Sequence, residues 1–296
     1  VYSNTDRIVA CADDPMQNRW WLEADDPWMF LAFCFEWAGY TREGFGFMSS
    51  LPIGMDGSNN GLQHFSAQLL DEVGGAATNL IPFEKPQDIY QVVANRVIEH
   101  VKHDAEGSGE NAEMARQWLA FGISRKTCKR PVMVVPYGGQ RFSCRAYIEE
   151  YIIERMEDGH ESPWGEDLFK PSQYLTGYVW EAISEVVVSA RKAMDWIQDV
   201  AARVSKLNLP LIWTSPSGFV VQQQYPSVEE RRIKTYIDNT LIMPTLNELD
   251  LEKLDKRRAV QGSSPNFVHS MDAAAMMITI TKALKEGIND FAMIHD

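Results

Sequence analysis

The sequence predicts a helix-rich α+β fold. Apolar residues recur at helical spacing over 87–104 and again over 171–207, whereas strand-like runs are short and gather at 211–243. With 45% hydrophobic and 11% aromatic residues, the chain can bury one large core or two modest ones, which excludes an intrinsically disordered segment. No internal repeat or low-complexity tract interrupts it.

Taken in order, Asp14-Pro15 and Asp26-Pro27 each set a capping carboxylate before a proline at a first helical position. The second pair opens the apolar stretch WMFLAFCFEWAG. Residues 51–55 are a short apolar run ending at Asp56, and 61–72 place Leu62, Phe65, Leu69 and Leu70 at helical spacing, so strand, acidic turn and helix are expected there. A candidate helix over 125–138 ends in Gly138-Gly139, with Pro131 and Pro136 expected to kink it. Residues 158–170, where Gly, His, Ser, Pro and Trp interleave, read as loop. From 211 to 243 one hairpin is expected, with Ser215-Pro216-Ser217-Gly218 as the turn between LIWT and FVVQQQY. Ser264-Pro265 should cap a last helix reaching about Lys285, and 291–294 should form a short strand leading into His295-Asp296.

No apolar run approaches the roughly 18 to 20 residues of a membrane span, and no basic-then-apolar leader opens the sequence. No membrane partner and a cytosolic location are therefore expected. Cys11, Cys34, Cys128 and Cys144 are too scattered for a zinc site or a disulfide framework and read as reduced thiols. The chain begins at Val1 and stops directly after an apolar run, so it is expected to be part of a longer protein. A formal net charge of −13 argues at first sight against nucleic acid. Yet residues 116–148 hold Arg116, Arg125, Lys126, Lys129, Arg130, Arg141 and Arg145 without one Asp or Glu, which predicts a locally positive surface on an acidic body.

Two carboxylates, Asp56 and Asp296, share a context: each follows directly on a short apolar run where the chain turns. On neighbouring strands they could bridge two Mg²⁺ ions about 3.5–4 Å apart, the arrangement that serves nucleotidyl transfer. An Asp after a strand is equally a turn residue. Arg125 and Lys129, four residues apart, share a helix face on which both could grip a triphosphate, while a solvated basic face is the plain alternative.

Several segments carry a family resemblance: DGSNNGLQHFSAQLLDEVGG (56–75), SRKTCKRPVMVVPYGG (124–139), PNFVHSMD (265–272), FAMIHD (291–296) and WTSPSGFVVQQQY in the hairpin. In order and spacing they resemble the single-subunit DNA-dependent RNA polymerases of bacteriophages and mitochondria, from about residue 19 to the end. The resemblance implies a right-hand polymerase core with a small antiparallel palm sheet. Residues 1–75 would be the first part of the palm, 76–259 the fingers with the nucleotide-binding helix and a specificity hairpin, and 260–296 the second part of the palm.

It also implies roles. Asp56, the Gly57 carbonyl and Asp296 would ligate two Mg²⁺ ions. Arg125 and Lys129 would hold the nucleotide's phosphates, Tyr137 beside Gly138 would stack by the nascent base pair and sense the sugar, and His269 would assist near the 2′-hydroxyl. His64 is expected to be structural. The related family A DNA polymerases place a Glu five residues beyond the metal-binding Asp; here Gly61 stands there and should leave room for a ribose 2′-hydroxyl. Gln222, Gln223, Gln224, Arg231 and Arg232 could touch promoter DNA from a β-ribbon. The implied partners are a DNA template and promoter, nascent RNA, NTPs and the remainder of the polymerase chain. The implied place is the cytoplasm of an infected bacterial host cell, or else the mitochondrial matrix. A family A-like DNA polymerase and a non-catalytic nucleic-acid-binding fragment or subunit are the alternatives.

Overall fold

The computed structural model describes residues 2–294, so that His295 and Asp296 lie outside the described residues. The chain divides into two compact units, Val1–Asp56 with Asp290–Ala292, and Gly57–Asn289 with Met293–Asp296.

In the first unit, α1 (Thr5–Asp13) packs on α2 (Pro27–Glu43) around Ile8, Cys11, Trp21, Leu31 and Cys34. Asp26 caps α2 as expected, accepting a hydrogen bond from the Met29 amide at 3.3 Å, with Pro27 at the first helical position where its missing N–H costs nothing. Asp14 does otherwise. It follows α1, and its carboxylate accepts from the amides of Met16 (3.2 Å) and Gln17 (3.1 Å), closing a turn instead of opening a helix. The strand expected over 51–55 is absent: Ile53 and Met55 are almost fully exposed, and no described backbone pairs with this run to give it a ladder.

The second unit is built on a helical core. α3 (Asn60–Leu69) and α4 (Glu72–Ala77) come first, followed by α5 (Ile89–Ala105), α6 (Glu110–Phe121), α7 (Arg125–Val134), α8 (Arg141–Glu157), α9 (Phe169–Val186) and α10 (Val188–Lys206). Ile89, Val93, Val97 and Val101, spaced by four, form the buried stripe of α5. Around it gather Trp118, Cys128, Val132, Ile148, Ile152, Leu175, Val179 and Ile183 from α6 to α9. The single helix expected over 171–207 divides at Val187, inside three consecutive β-branched valines whose stiff side chains weaken helix propensity. α7 ends at Val134, so Pro131 stays in the helix while Pro136 falls in the turn behind it. The amides of Gly138 and Gly139 close that turn on the carbonyls of Val135 and Val134, at 3.1 and 2.8 Å, and Gly138 takes a φ of 84° that side chains disfavour.

The hairpin expected over 211–243 resolves into two. β1 (Leu211–Thr214) pairs antiparallel with β2 (Val220–Gln223), and its turn closes on a 2.9 Å bond from the Gly218 amide to the Ser215 carbonyl. Beyond it β3 (Pro226–Arg232) pairs with β6 (Thr245–Leu254) as a longer ribbon. β4 (Thr235–Ile237) and β5 (Thr240–Ile242) pair at its tip around Asp238 and Asn239, both at positive φ. The last helix, α11 (Lys256–Lys285), begins eight residues before Ser264-Pro265. Asp255 caps it through the Arg258 amide at 2.9 Å, and Pro265 is interior. No strand forms over 291–294, where no described segment offers a ladder. The small antiparallel sheets are thus those between residues 211 and 254.

Candidate active site

Three segments of the second unit meet: α3, the turn after α7, and α11. Val268 of α11 is buried against Gly61 of α3, and His269 and Asp272, three residues apart and so on one face of the helix, reach the turn and α3. The Tyr137 hydroxyl donates to Asp272 Oδ2 at 3.2 Å, and its ring lies 4.9 Å from that of His269, tilted by 35°. From α3, His64 Nε2 stands 2.9 Å from Asp272 Oδ1. Phe65 of α3 stacks on Phe267 of α11 with centroids 6.3 Å apart. His64, expected to be structural, joins this cluster, and Asp272 has no role that the sequence alone predicts. Its one signal was position, since Asp272 closes the same motif as His269 one helical turn on.

Two glycines make this convergence possible. A Cβ on Gly61 would lie 2.5 Å from Pro136 Cβ and 3.2 Å from Val268 Cγ1. The volume that Gly61 was expected to leave for a 2′-hydroxyl is therefore filled by Pro136, and the glycine serves close packing of helix on turn. A Cβ on Gly138 would likewise meet Pro265 Cγ at 2.8 Å.

The segment behind Asp56 is firmly anchored. Tyr90 donates to the Ser58 carbonyl at 3.1 Å, Asn79 donates to the Ser58 hydroxyl at 2.6 Å, and buried Asn59 caps α3 through the Leu62 amide at 3.1 Å. The side-chain amides of Asn60 and Gln63 crowd Gly57: a Cβ there would lie 1.9 Å from Asn60 Oδ1 and 2.6 Å from Gln63 Oε1, so both ends would have to swing aside. Asp56 is exposed at the close of the first unit, and Asp296 lies outside the described residues. An Asp carboxylate and a glycine carbonyl are the hard oxygen donors that Mg²⁺ takes, so the donor chemistry fits. Among the described residues no group of three or more His, Cys, Asp or Glu could hold a metal ion.

On α7, Arg125 and Lys129 are both exposed, four residues apart as the sequence required. Arg125 is engaged already, ion-paired with Asp88 and lying 5.0 Å over the Tyr90 ring. The run without acids in sequence has acids around it in space: Arg130 pairs with Glu150, Arg145 with Glu149, and Arg116 with Glu113 at 3.1 Å. Lys126, Lys129 and Arg141 make no ion pair among the described residues. The positive surface read from the sequence narrows to those three.

In the hairpins, Gln223 is buried. Its amide donates to the Ala259 carbonyl at 2.7 Å and accepts from Asn266 at 3.0 Å, so it fastens β2 to α11 and does not face solvent as a DNA-reading residue would. Arg231 and Arg232 stand apart from it on the exposed end of β3.

All of residues 1–296 match the family model described as DNA-dependent RNA polymerase. The chain belongs to that family. Among its relatives in the family is the DNA-directed RNA polymerase of Enterobacteria phage T3, 37% identical over 334 residues, covering 100% of this chain and 37% of that protein. T7 RNA polymerase of Escherichia phage T7 is 36% identical over 331 residues, covering 100% of this chain and 38% of that protein. The mitochondrial DNA-directed RNA polymerase of Mus musculus is 34% identical over 294 residues, covering 98% and 23%. The chain thus spans well under half the length of these polymerases. No described helix is long and apolar enough to cross a membrane.

Proposed function

We propose that these residues belong to the palm and fingers of a single-subunit RNA polymerase that adds NTPs to an RNA 3′-hydroxyl on a DNA template. The observation carrying this reading is the meeting of three family motifs, 56–75, 124–139 and 265–272, on Tyr137 and Asp272. Palm elements would come from 1–75 and 260–296, with the fingers between.

Lys129, with Arg125 if substrate displaces its pairing to Asp88, would neutralise the triphosphate, and their spacing on one face of α7 supports that role. Tyr137 and His269 would read the ribose, with Gly138 setting the turn that presents the ring. Gly61 contributes by letting Pro136 and the turn approach α3. Asp56, the Gly57 carbonyl and Asp296 would hold two Mg²⁺ ions, whose chemistry when bound is to make the 3′-hydroxyl a better nucleophile and to neutralise the leaving phosphates. Alignment and charge carry the reaction, and no covalent enzyme intermediate is needed.

Promoter DNA would be met by the β3–β6 ribbon through Arg231 and Arg232. A phage origin, and with it the cytoplasm of an infected bacterial cell, is supported by the phage polymerases among the relatives. Lys126, Lys129 and Arg141, which make no ion pair among the described residues, favour a second reading, a non-catalytic segment or subunit that binds nucleic acid. One experiment decides between them. The polymerase chain containing these residues is assayed on a primed template with Mg²⁺ and NTPs, beside its Asp56→Asn variant. Extension that Asp56→Asn abolishes while template binding persists supports the polymerase; normal extension by the variant removes Asp56 from the chemistry. Binding by the wild type without extension supports the second reading.

A further inference from the structure

A tyrosine hydroxyl owns one proton and two lone pairs, so where the proton goes decides what the oxygen can offer a substrate. In this protein the Tyr137 proton is directed at Asp272 Oδ2, 3.2 Å away. The other oxygen of the same carboxylate faces His64 Nε2 at 2.9 Å. A carboxylate has only lone pairs to give, so the His64 nitrogen facing it is the protonated one. Both oxygens of Asp272 are thereby engaged, in a setting where its side chain is only 15% exposed and that of His64 25%. Hydrogen bonds to a carboxylate are stronger than neutral ones, and partial burial strengthens them further.

From this geometry we infer that Asp272, oriented by His64, is a positioning residue that fixes the Tyr137 hydroxyl as a hydrogen-bond acceptor for the ribose 2′-hydroxyl. The inference rests on the polymerase reading above. A phenol that gives its proton to a carboxylate holds more electron density on its oxygen and accepts more strongly. A 2′-hydroxyl can donate to it; the 2′-hydrogen of a deoxyribose cannot. Selection for RNA precursors then depends on three segments at once: α3 orients the carboxylate, α11 carries it, and the turn after α7 presents the phenol. With Gly61 packed against Pro136, no open volume beside that glycine contributes to the choice.

The test is single-nucleotide addition by the full polymerase chain on a preassembled RNA–DNA scaffold, reading kcat/KM for an NTP against the matching dNTP. Both rates come from one preparation, so a variant that folds poorly lowers both and leaves the ratio untouched. Asp272→Asn should lower the NTP-over-dNTP ratio by about tenfold, the value of one charge-assisted hydrogen bond. In a Tyr137→Phe background the same change should lower it no further. His64→Gln keeps a donor towards Asp272 and should hold the ratio within about threefold, whereas His64→Leu should lower it more. An unchanged ratio in Asp272→Asn, or a full additive loss in the double variant, overturns the inference even though the wild type extends RNA. An unchanged ratio in Tyr137→Phe overturns it as well. No extension by the wild type fails the polymerase reading itself, which separates the two.

Discussion

Pro136 occupies the space that a side chain at position 61 would need. The clash distance, 2.5 Å from a Cβ on Gly61 to Pro136 Cβ, is below what packed carbons tolerate, and Val268 closes the other side. Alanine raises helix propensity by about 1 kcal/mol over glycine, yet overpacking a tight core costs about 1–3 kcal/mol. Gly61→Ala should therefore destabilise the protein by about 1–2 kcal/mol in denaturant unfolding, the clash outweighing the propensity gain. A stabilised variant would show that the turn yields freely.

Lys129 and Arg125 should differ in how they respond to mutation. Lys129→Ala removes a cation that makes no ion pair among the described residues, and kcat/KM for NTPs should fall about 10- to 100-fold, the loss of one charged contact. Arg125 is shared with Asp88 and Tyr90, so Asp88→Ala should release it and change the apparent KM for NTPs without abolishing turnover. Steady-state kinetics on a primed template separates the two, and an unaltered KM in Asp88→Ala would mean that Arg125 does not reach the nucleotide.

Gln223 and the ribbon arginines should part company in the same way. Gln223→Ala deletes one buried and one partly buried hydrogen bond between β2 and α11, costing about 1–3 kcal/mol of stability. Arg231→Ala with Arg232→Ala, on the exposed end of β3, should leave stability within about 0.5 kcal/mol. If these arginines meet DNA phosphates, the same double change should flatten the salt dependence of DNA binding by about 2 units of slope. Thermal melts and binding titrations at several salt concentrations measure both.

Alkaline pH should weaken the fold. Burial raises the thiol of Cys34 from 9.0 to about 11 and that of Cys144 to about 12. Burial, and then the shared Asp104 carboxylate, raises Tyr178 from 10.0 to about 12, and Tyr174 is pushed up in the same direction. Groups that hold protons longer when folded give stability that is fully present below their unfolded values and is lost as pH rises towards the folded ones. Unfolding free energy should be flat below about pH 8 and fall steadily as pH passes the unfolded thiol value of 9.0. Denaturant midpoints at a series of pH values check this, and a flat profile to pH 11 would contradict the shifts.

How much of this was legible in advance follows from how local each feature is. Asp26-Pro27, the Val93, Val97, Val101 stripe and the turn at Gly218 are set within a few residues, and spacing alone placed them. Asp14-Pro15 carries the same local signal as Asp26-Pro27 but closes a turn, because a helix already ends there. Ser264-Pro265 carries the local signal of a helix start, yet Pro265 is interior and the real cap, Asp255, lies in residues with weak apolar periodicity. The ion pairs of Arg125 with Asp88 and Arg130 with Glu150 are illegible for a plainer reason: a window along the sequence cannot see acids on a neighbouring element, whereas Glu149, the i,i+4 partner of Arg145, lies one residue past the acid-free run. Tyr137 and His269 came from motif likeness, while the link through Asp272 needed coordinates.

The bond between His64 and Asp272 spans 208 positions of sequence, and that between Tyr137 and Asp272 spans 135. A ribosome makes the chain from its N-terminus, so both rings exist long before the carboxylate that joins them. Until α11 leaves the exit tunnel, α3 and the turn after α7 can pack a core but cannot complete the corner where the three meet. Completion of this corner is thus timed by synthesis, and a nascent chain stalled short of position 272 carries Tyr137 without the carboxylate to which its hydroxyl donates.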